Sequence, residues 1–138
     1  MEDCERKVKG EGIQRLETIV SILRGPEGCP WDRKQTLASM TKCLAEETQE
    51  LLEAMVQDDV EHHREELGDV LLQVVFQAQL RKEEGRFDLD DVAHAICDKL
   101  VRRHPHVFGD VKVNSVDEVL ANWQAIKQQE KKPYSVSS

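Results

Sequence analysis

The sequence has 138 residues, of which 39% are hydrophobic and 33% charged, and its formal net charge is −8. This length suits one domain with its own core, and no apolar run approaches the roughly 18–20 residues of a membrane helix. A surface with this excess of negative charge repels polyanions, which argues against a nucleic-acid polymer as partner. Aromatic residues are scarce at 4%, so the composition favours helices over strands.

The two ends of the sequence look different from the rest. Residues 1–12 are polar, contain two glycines and show no period, so we predict a flexible arm there. Residues 132–138 are predicted to form a disordered tail, which leaves residues 13–131 as the folded domain. No secretory signal is visible in the arm, and the four cysteines show no C-x-x-C spacing. These features predict a cytoplasmic protein with reduced thiols, and no membrane partner.

Apolar residues at helical spacing predict a first amphipathic helix over residues 13–23, which Gly25-Pro26 ends. Residues 25–36 are expected to form a loop. A second helix is predicted to begin at about Thr36 or Thr41 and to end near residue 57.

The third predicted helix, over about residues 60–84, is unusually apolar. Nine of the fourteen residues from 67 to 80 are apolar, whereas an amphipathic surface helix would be about half polar. We expect this helix to be covered on most sides, either centrally in a bundle or at a subunit interface. Its single polar stripe consists of Asp69, Gln73 and Gln77.

Two further helices complete the prediction. One extends over about residues 88–103 and is followed by a loop over residues 104–109. The other is predicted to begin after Ser115, because Ser115 and Glu118 form the S-x-x-E pattern of a capping box, and to end near Lys131. The sequence therefore predicts an all-α bundle of about five helices.

Ten of the 27 acidic residues lie between residues 46 and 69. Within this stretch the pattern E-E-x-x-E, at Glu46, Glu47 and Glu50, is followed by E-x-x-D, at Glu66 and Asp69. Residues three apart share a helix face, and the short connection between the two helices favours antiparallel neighbours. We therefore expect the side chains of Glu47, Glu50, Glu66 and Asp69 to converge.

Four converging carboxylates repel one another unless a cation neutralises them. Oxygen ligands favour Mg²⁺, with Mn²⁺ as a substitute, and such a site leaves room for water and substrate phosphates. This equipment suits phosphoryl chemistry. The alternative is a solvated acidic face. Against it, Asp69 interrupts the most apolar helix of the chain, where a carboxylate is rarely buried unless paired or metal-bound.

Cationic side chains on the last two predicted helices are candidates for binding phosphate. Lys99 and Arg103 lie one helical turn apart, as do Trp123 and Lys127. Lys and Arg suit phosphate oxygens, although ordinary surface charge, and core packing for Trp123, are the alternatives. Trp31 lies in a loop, where it either stacks on a nucleoside base or anchors the loop.

Several segments, in this order, resemble the MazG family. They are the E-E-x-x-E and E-x-x-D pair, residues 28–32 (Gly-Cys-Pro-Trp-Asp) followed by Gln35-Thr36, residues 66–71 (Glu-Leu-Gly-Asp-Val-Leu), residues 102–108 (Arg-Arg-His-Pro-His-Val-Phe) and residues 123–127 (Trp-Gln-Ala-Ile-Lys). Each motif is modest alone, but their order and spacing together are specific. The resemblance covers about residues 13–131.

The resemblance implies an all-α nucleoside triphosphate pyrophosphohydrolase. Such an enzyme uses Mg²⁺ to cut between the α and β phosphates, which yields a nucleoside monophosphate and pyrophosphate and suits housekeeping of the nucleotide pool. It also implies homodimers or homotetramers in which helices from different chains complete the bundle. The implied metal ligands are Glu47, Glu50, Glu66 and Asp69, and the implied substrate-binding residues are Lys99, Arg103, Trp123 and Lys127.

Since no Ser-His-Asp set or P-loop is present, we expect water to be the nucleophile, with Glu50 or Glu46 taking its proton. Two other classes remain open. One is a catalytically weak helical module that binds a nucleotide or a protein partner. The other is a carboxylate-bridged di-iron bundle, which is disfavoured because neither Glu47 nor Glu66 has a histidine three residues later.

Overall fold

The computed structural model describes residue 8 and residues 10–131, and this part of the chain is all-α, with seven helices and no strand. The predicted tail and residues 1–7 and 9 of the predicted arm lie outside the described residues. No helix in the described part is long and apolar enough to cross a membrane. The helices are α1 (Gly12–Leu23), α2 (Pro30–Lys34), α3 (Leu37–Val56), α4 (Val60–Glu83), α5 (Leu89–Arg103), α6 (Pro105–Phe108) and α7 (Val116–Glu130).

The all-α prediction is confirmed, but the two predicted loops are wrong in part, because each contains a short helix. Both short helices begin at a proline, Pro30 in α2 and Pro105 in α6. Proline suits the first helical position because its missing N–H would have no intrahelical partner there. Gly28 is required before α2, since a Cβ atom at this position would lie 2.2 Å from the Leu23 carbonyl oxygen.

The ends of the long helices follow the sequence signals. Thr36 caps α3, because its side chain accepts a hydrogen bond from a backbone N–H of the first turn. Of the two predicted starting points, Thr36 is therefore correct and Thr41 is not. Gly85 ends α4 in the left-handed conformation, with φ of 73°. The Ser115 hydroxyl accepts from the Glu118 N–H at 3.2 Å at the start of α7. The capping prediction for this helix is confirmed.

The described chain divides into two compact units, with the boundary along the sequence between Leu89 and Asp90. The first unit, to Leu89, contains α1 to α4, and in it α4 packs against α3 and α1. The second unit, from Asp90, contains the rest of α5 together with α6 and α7. The core of the first unit consists of Val20, Met40, Val75, Phe76 and Leu80.

Helix α4 buries apolar side chains in its second half, but polar side chains are also buried and apolar ones are exposed along it. Glu66 and Gln73 are buried, whereas Leu67, Leu71 and Val74 are 37–49% exposed. The expectation that this helix is covered on most sides is therefore not met within one chain. The polar stripe faces inward, toward the carboxylates that α3 contributes to the same side of α4. The outward row Leu67, Leu71 and Val74 is called the apolar stripe below.

Arg24 fixes the segment that contains α2. Its Nη1 donates to the carbonyl oxygens of Asp32 and Gln35, at 2.7 and 3.1 Å, and its Nε and Nη2 form a two-pronged ion pair with Glu83. The guanidinium also lies over the Phe76 ring, 5.7 Å from its centroid. One partly buried cation thus joins the end of α1, the α2 segment and the end of α4.

Candidate metal centre and anion-binding cavity

Helices α3 and α4 bring four carboxylates to one point in the first unit. Glu47 and Glu50 lie three residues apart on α3, and Glu66 and Asp69 lie three apart on α4, so each pair shares a face. One carboxylate oxygen from each residue lies within 4.8 Å of those of the other three. The predicted convergence is confirmed. These four residues are called the acidic cluster below.

The acidic cluster is unevenly exposed. Glu66 is buried, Glu47 and Asp69 are half-buried, and Glu50 is exposed. The Oε2 atoms of Glu47 and Glu66 are buried without a hydrogen-bond partner among the described residues. A buried carboxylate oxygen without a donor is unfavourable. A bound cation would supply the partner that these two atoms lack within the described part of the chain.

The electrostatics of the cluster point the same way. Burial raises the pKa of Glu47 above its ordinary value, and the neighbouring charges of Asp69, Glu50 and Glu66 raise it further. Burial likewise raises the pKa of Glu66, again with help from Glu50 and Asp69. Each carboxyl group is thus disfavoured in its charged form by its surroundings, and a bound cation would reverse this effect.

The donor set fits a divalent metal. It consists of carboxylate oxygens alone, which are ligands that hard cations prefer, and two of those oxygens have no other partner among the described residues. A set without thiolate or imidazole does not favour zinc or copper. Glu47, Glu50, Glu66 and Asp69 are the residues that could hold such an ion.

Two residues beside the cluster need separate mention. Glu46 does not belong to it, since its side chain is largely exposed and lies 3.9 Å from the Lys42 ammonium. His62 was missed by the sequence analysis, although its Nδ1 lies 4.0 Å from Glu66 Oε1. The four-residue spacing from His62 to Glu66 was the signal that could have found it.

The second unit contains a cavity of about 220 Å³ between α5 and α7. Four predicted substrate-binding residues, Lys99, Arg103, Trp123 and Lys127, line it together with Ile96, Leu100 and His104. Three cations around an apolar floor and an indole ring suit a ligand with an anionic part and a flat part. Trp31 is not among the lining residues, because it lies on α2 in the first unit, where it is 58% exposed.

His104, which follows Arg103 in the sequence, is a further lining residue of the cavity. Its Nδ1 lies 2.6 Å from the Leu100 carbonyl oxygen, which only accepts, so Nδ1 carries the proton and Nε2 is an acceptor in the neutral ring. The His104 ring lies at 77° to the Trp123 ring, with centroids 5.3 Å apart. Trp123 Nε1 is buried and has no partner among the described residues. Trp123 thus carries a donor that no described residue uses.

Glu130, at the end of α7, binds two arginines of α5. Its Oε1 accepts from Arg103 Nη2 at 2.8 Å and from Arg103 Nε at 3.2 Å, and its Oε2 accepts from Arg102 Nε. Hydrogen bonds from Arg102 and Arg103 lower the pKa of Glu130 to about 2. The carboxylate therefore stays ionised, and it fixes one of the lining cations of the cavity.

Comparison with protein families gives one match that covers more than half of the chain. The family described as MazG nucleotide pyrophosphohydrolase domain matches residues 35–108. This range contains all of the acidic cluster, together with Lys99 and Arg103.

Curated proteins and a solved structure are also similar. The nucleoside triphosphate pyrophosphohydrolase of Escherichia coli (strain K12) is 53% identical over 86% of this chain and 46% of its own length. The nucleoside triphosphate pyrophosphohydrolase/pyrophosphatase MazG of Thermotoga maritima is 49% identical over 91% of this chain and 48% of its own length. The crystal structure of a mazG-related protein from Thermotoga maritima matches with a TM-score of 0.69 and 28% identity, over 83% of this chain and 98% of that one. The chain spans about half the length, or less, of the curated relatives it matches.

Proposed function

The chain belongs to the MazG nucleotide pyrophosphohydrolase family, and on this premise we propose that it hydrolyses nucleoside triphosphates to the monophosphate and pyrophosphate. The observation that carries the proposal is the acidic cluster, in which four carboxylate oxygens lie within 4.8 Å of one another. The role fits nucleotide-pool housekeeping. The cytoplasm is the compartment that suits its unpaired Cys29, Cys43 and Cys97.

The acidic cluster would hold Mg²⁺, for which Mn²⁺ could substitute. When bound, the metal neutralises phosphate charge and lowers the pKa of a water ligand. Glu47 and Glu66 supply the buried oxygens that lack partners in the described part of the chain, and Asp69 and Glu50 complete the set. Family membership and the oxygen-only donor set support this assignment.

Glu50 is the best placed acceptor for the proton of the attacking water. It belongs to the acidic cluster and is its only exposed member, so it can contact both the cluster and solvent. Glu46 is the second choice, because its carboxylate is exposed and already paired with Lys42.

The cavity of the second unit would receive the anionic and flat parts of the substrate. Lys99, Arg103 and Lys127 would neutralise phosphate oxygens, and Trp123 would contact the nucleoside. Trp31, in the first unit, is a separate aromatic candidate for stacking on a nucleoside base, since more than half of its surface is exposed.

We also propose that the protein forms a homodimer or homotetramer through the apolar stripe of α4. Leu67, Leu71 and Val74 lie at positions i, i+4 and i+7, so they share one helix face, and all three are exposed. A neighbouring row of large exposed apolar side chains is typical of an interface between protein chains. A second copy of this chain would cover the stripe.

The test is a pyrophosphate-release panel over all ribo- and deoxyribonucleoside triphosphates with Mg²⁺. The wild-type protein should release pyrophosphate from at least one of them, whereas Glu50→Ala and Asp69→Ala should release none and keep their helical circular dichroism. Glu65→Gln is the matched control, because Glu65 is exposed and lies next to the cluster in sequence. Silence across the panel with tight nucleotide binding would favour a binding module instead, and unchanged turnover in both alanine variants would refute the assignment.

A further inference from the structure

The cavity of the second unit is built from one face of each of two helices. Trp123, Lys127 and Glu130 lie at positions i, i+4 and i+7 of α7, so they share a face. On α5, Lys99 and Arg103 lie one turn apart. Trp123 and Lys127 line the cavity, and Glu130, one turn further, binds Arg103 from the opposite helix.

The contact between Glu130 and Arg103 is well protected. The Glu130 side chain is 20% exposed and that of Arg103 is 23% exposed, whereas Arg102, which binds the other oxygen of Glu130, is 51% exposed. One carboxylate oxygen takes two donors of the Arg103 guanidinium, which fixes the plane of the group as well as its position. Only Arg103 of the two arginines lines the cavity.

We propose that Glu130 is a positioning residue, which holds the Arg103 guanidinium ready at the cavity for a phosphate group of the substrate. The inference rests on the proposed function and adds a residue to it. Glu130 itself carries the wrong charge to bind phosphate, so its contribution passes through Arg103.

The physical reason is entropic. A free arginine side chain has many rotamers and loses them when it binds a phosphate, which weakens binding. Glu130 removes most of that freedom before the substrate arrives. The loss of Glu130 should therefore weaken the binding of the ground state and of the transition state alike, which raises KM and leaves kcat unchanged.

The experiment compares Glu130→Gln with Glu130→Asp, which keeps the charge on a shorter side chain. Arg102→Gln is the first control, since it breaks the outer half of the contact and leaves Arg103 paired. Glu84→Gln is the second, because it removes an Arg–Glu pair, with Arg81, that lies in the first unit. Steady-state kinetics with Mg²⁺ and a substrate from the panel give KM and kcat. Calorimetric titration with inorganic tripolyphosphate, without metal, gives binding alone.

We expect Glu130→Gln to raise KM about three- to tenfold and to weaken tripolyphosphate binding by a similar factor, with kcat within about twofold of wild type. Glu130→Asp should restore part of the loss, and both controls should keep wild-type KM. An unchanged KM in Glu130→Gln, or a lower one as expected if Glu130 competes with phosphate for Arg103, would overturn the inference. So would an equal rise in KM for Arg102→Gln, since that result indicates a general loosening of α5 and α7.

The inference and the proposed function can fail separately. If the wild-type protein turns over no triphosphate but binds tripolyphosphate in a Glu130-dependent way, the positioning role stands and the proposed reaction falls. If the wild-type protein is active and Glu130→Gln is indistinguishable from it in both assays, only the positioning role falls.

Discussion

A mutation in the acidic cluster should change the melting temperature in opposite directions with and without bound metal. Glu47→Gln replaces a carboxylate with a neutral amide. The amide NH₂ group can donate to the neighbouring Glu50 carboxylate, whereas the buried Oε2 atom of Glu47 has no described partner. The substitution removes one of four mutually repelling charges. Without metal, the variant should therefore melt at a higher temperature than the wild type. With Mg²⁺ the order should reverse, because the variant has lost a ligand.

Bound Mg²⁺ should stabilise the folded state by a few kcal/mol, as a ligand that binds only that state does. A ligand that binds only the folded state at a hundred times its Kd stabilises that state by about 2.7 kcal/mol. For a chain of this length, with an unfolding entropy of about 2.1 cal/mol/K per residue, this corresponds to roughly 9 °C in Tm. A tenfold loss of Mg²⁺ affinity in Glu47→Gln would remove about 1.4 kcal/mol, or roughly half of that increase.

Differential scanning fluorimetry in chelator and across a Mg²⁺ titration measures both effects. The exposed Glu65→Gln is the control, which should keep the wild-type Tm in chelator and the full increase with Mg²⁺. Two results would show that the cluster is not a cation site whose carboxylates repel one another without metal. One is that Mg²⁺ does not raise the Tm of the wild type, and the other is that Glu47→Gln lowers the Tm without metal.

Three other predictions concern the rest of the molecule. Because the pKa of Glu130 is about 2, against an ordinary 4.5, its ion pairs stabilise the fold above pH 4.5 and are lost as the pH falls toward 2. The Tm of Glu130→Gln should thus fall less than that of the wild type over this range. Arg24→Lys should lower the free energy of unfolding by roughly 2–3 kcal/mol in urea titrations, since lysine cannot make the forked pair with Glu83 and the carbonyl contacts together. Leu71→Glu should reduce the mass measured by sedimentation to that of one chain, because it places a charge in the apolar stripe; an unchanged mass would place any interface elsewhere.

The parts of the fold that depend on helical spacing could be predicted from the sequence. Glu47 with Glu50, and Glu66 with Asp69, were paired by their three-residue spacing, and the short connection between α3 and α4 was enough to expect that the pairs meet. Local capping signals such as Ser115 were equally readable, since they act within one turn.

Contacts between distant segments could not be predicted in this way. Glu130 is separated from Arg103 by 27 residues and Arg24 from Glu83 by 59, and neither spacing carries a periodic signal. The two helices that begin at Pro30 and Pro105 were missed for a different reason. They are too short to show a hydrophobic period, and proline was interpreted as a loop signal although it also suits the first turn of a helix.

One helix connects the acidic cluster with the proposed oligomer. Glu66, Asp69 and Gln73 follow each other at three and four residues, so they share a face of α4, and the carboxylates from α3 meet that face. Leu67 and Leu71 lie on a different face of α4, which cannot face α3 as well. Both side chains are therefore left exposed. The inward position of the carboxylates thus leaves apolar surface that a second chain could bury, and burial of that surface would hold α4 in the orientation the cluster needs. We therefore expect Leu71→Glu, which leaves every candidate ligand in place, to weaken Mg²⁺ binding together with association; full Mg²⁺ affinity in a monomeric variant, measured by calorimetry, would show that the two are independent.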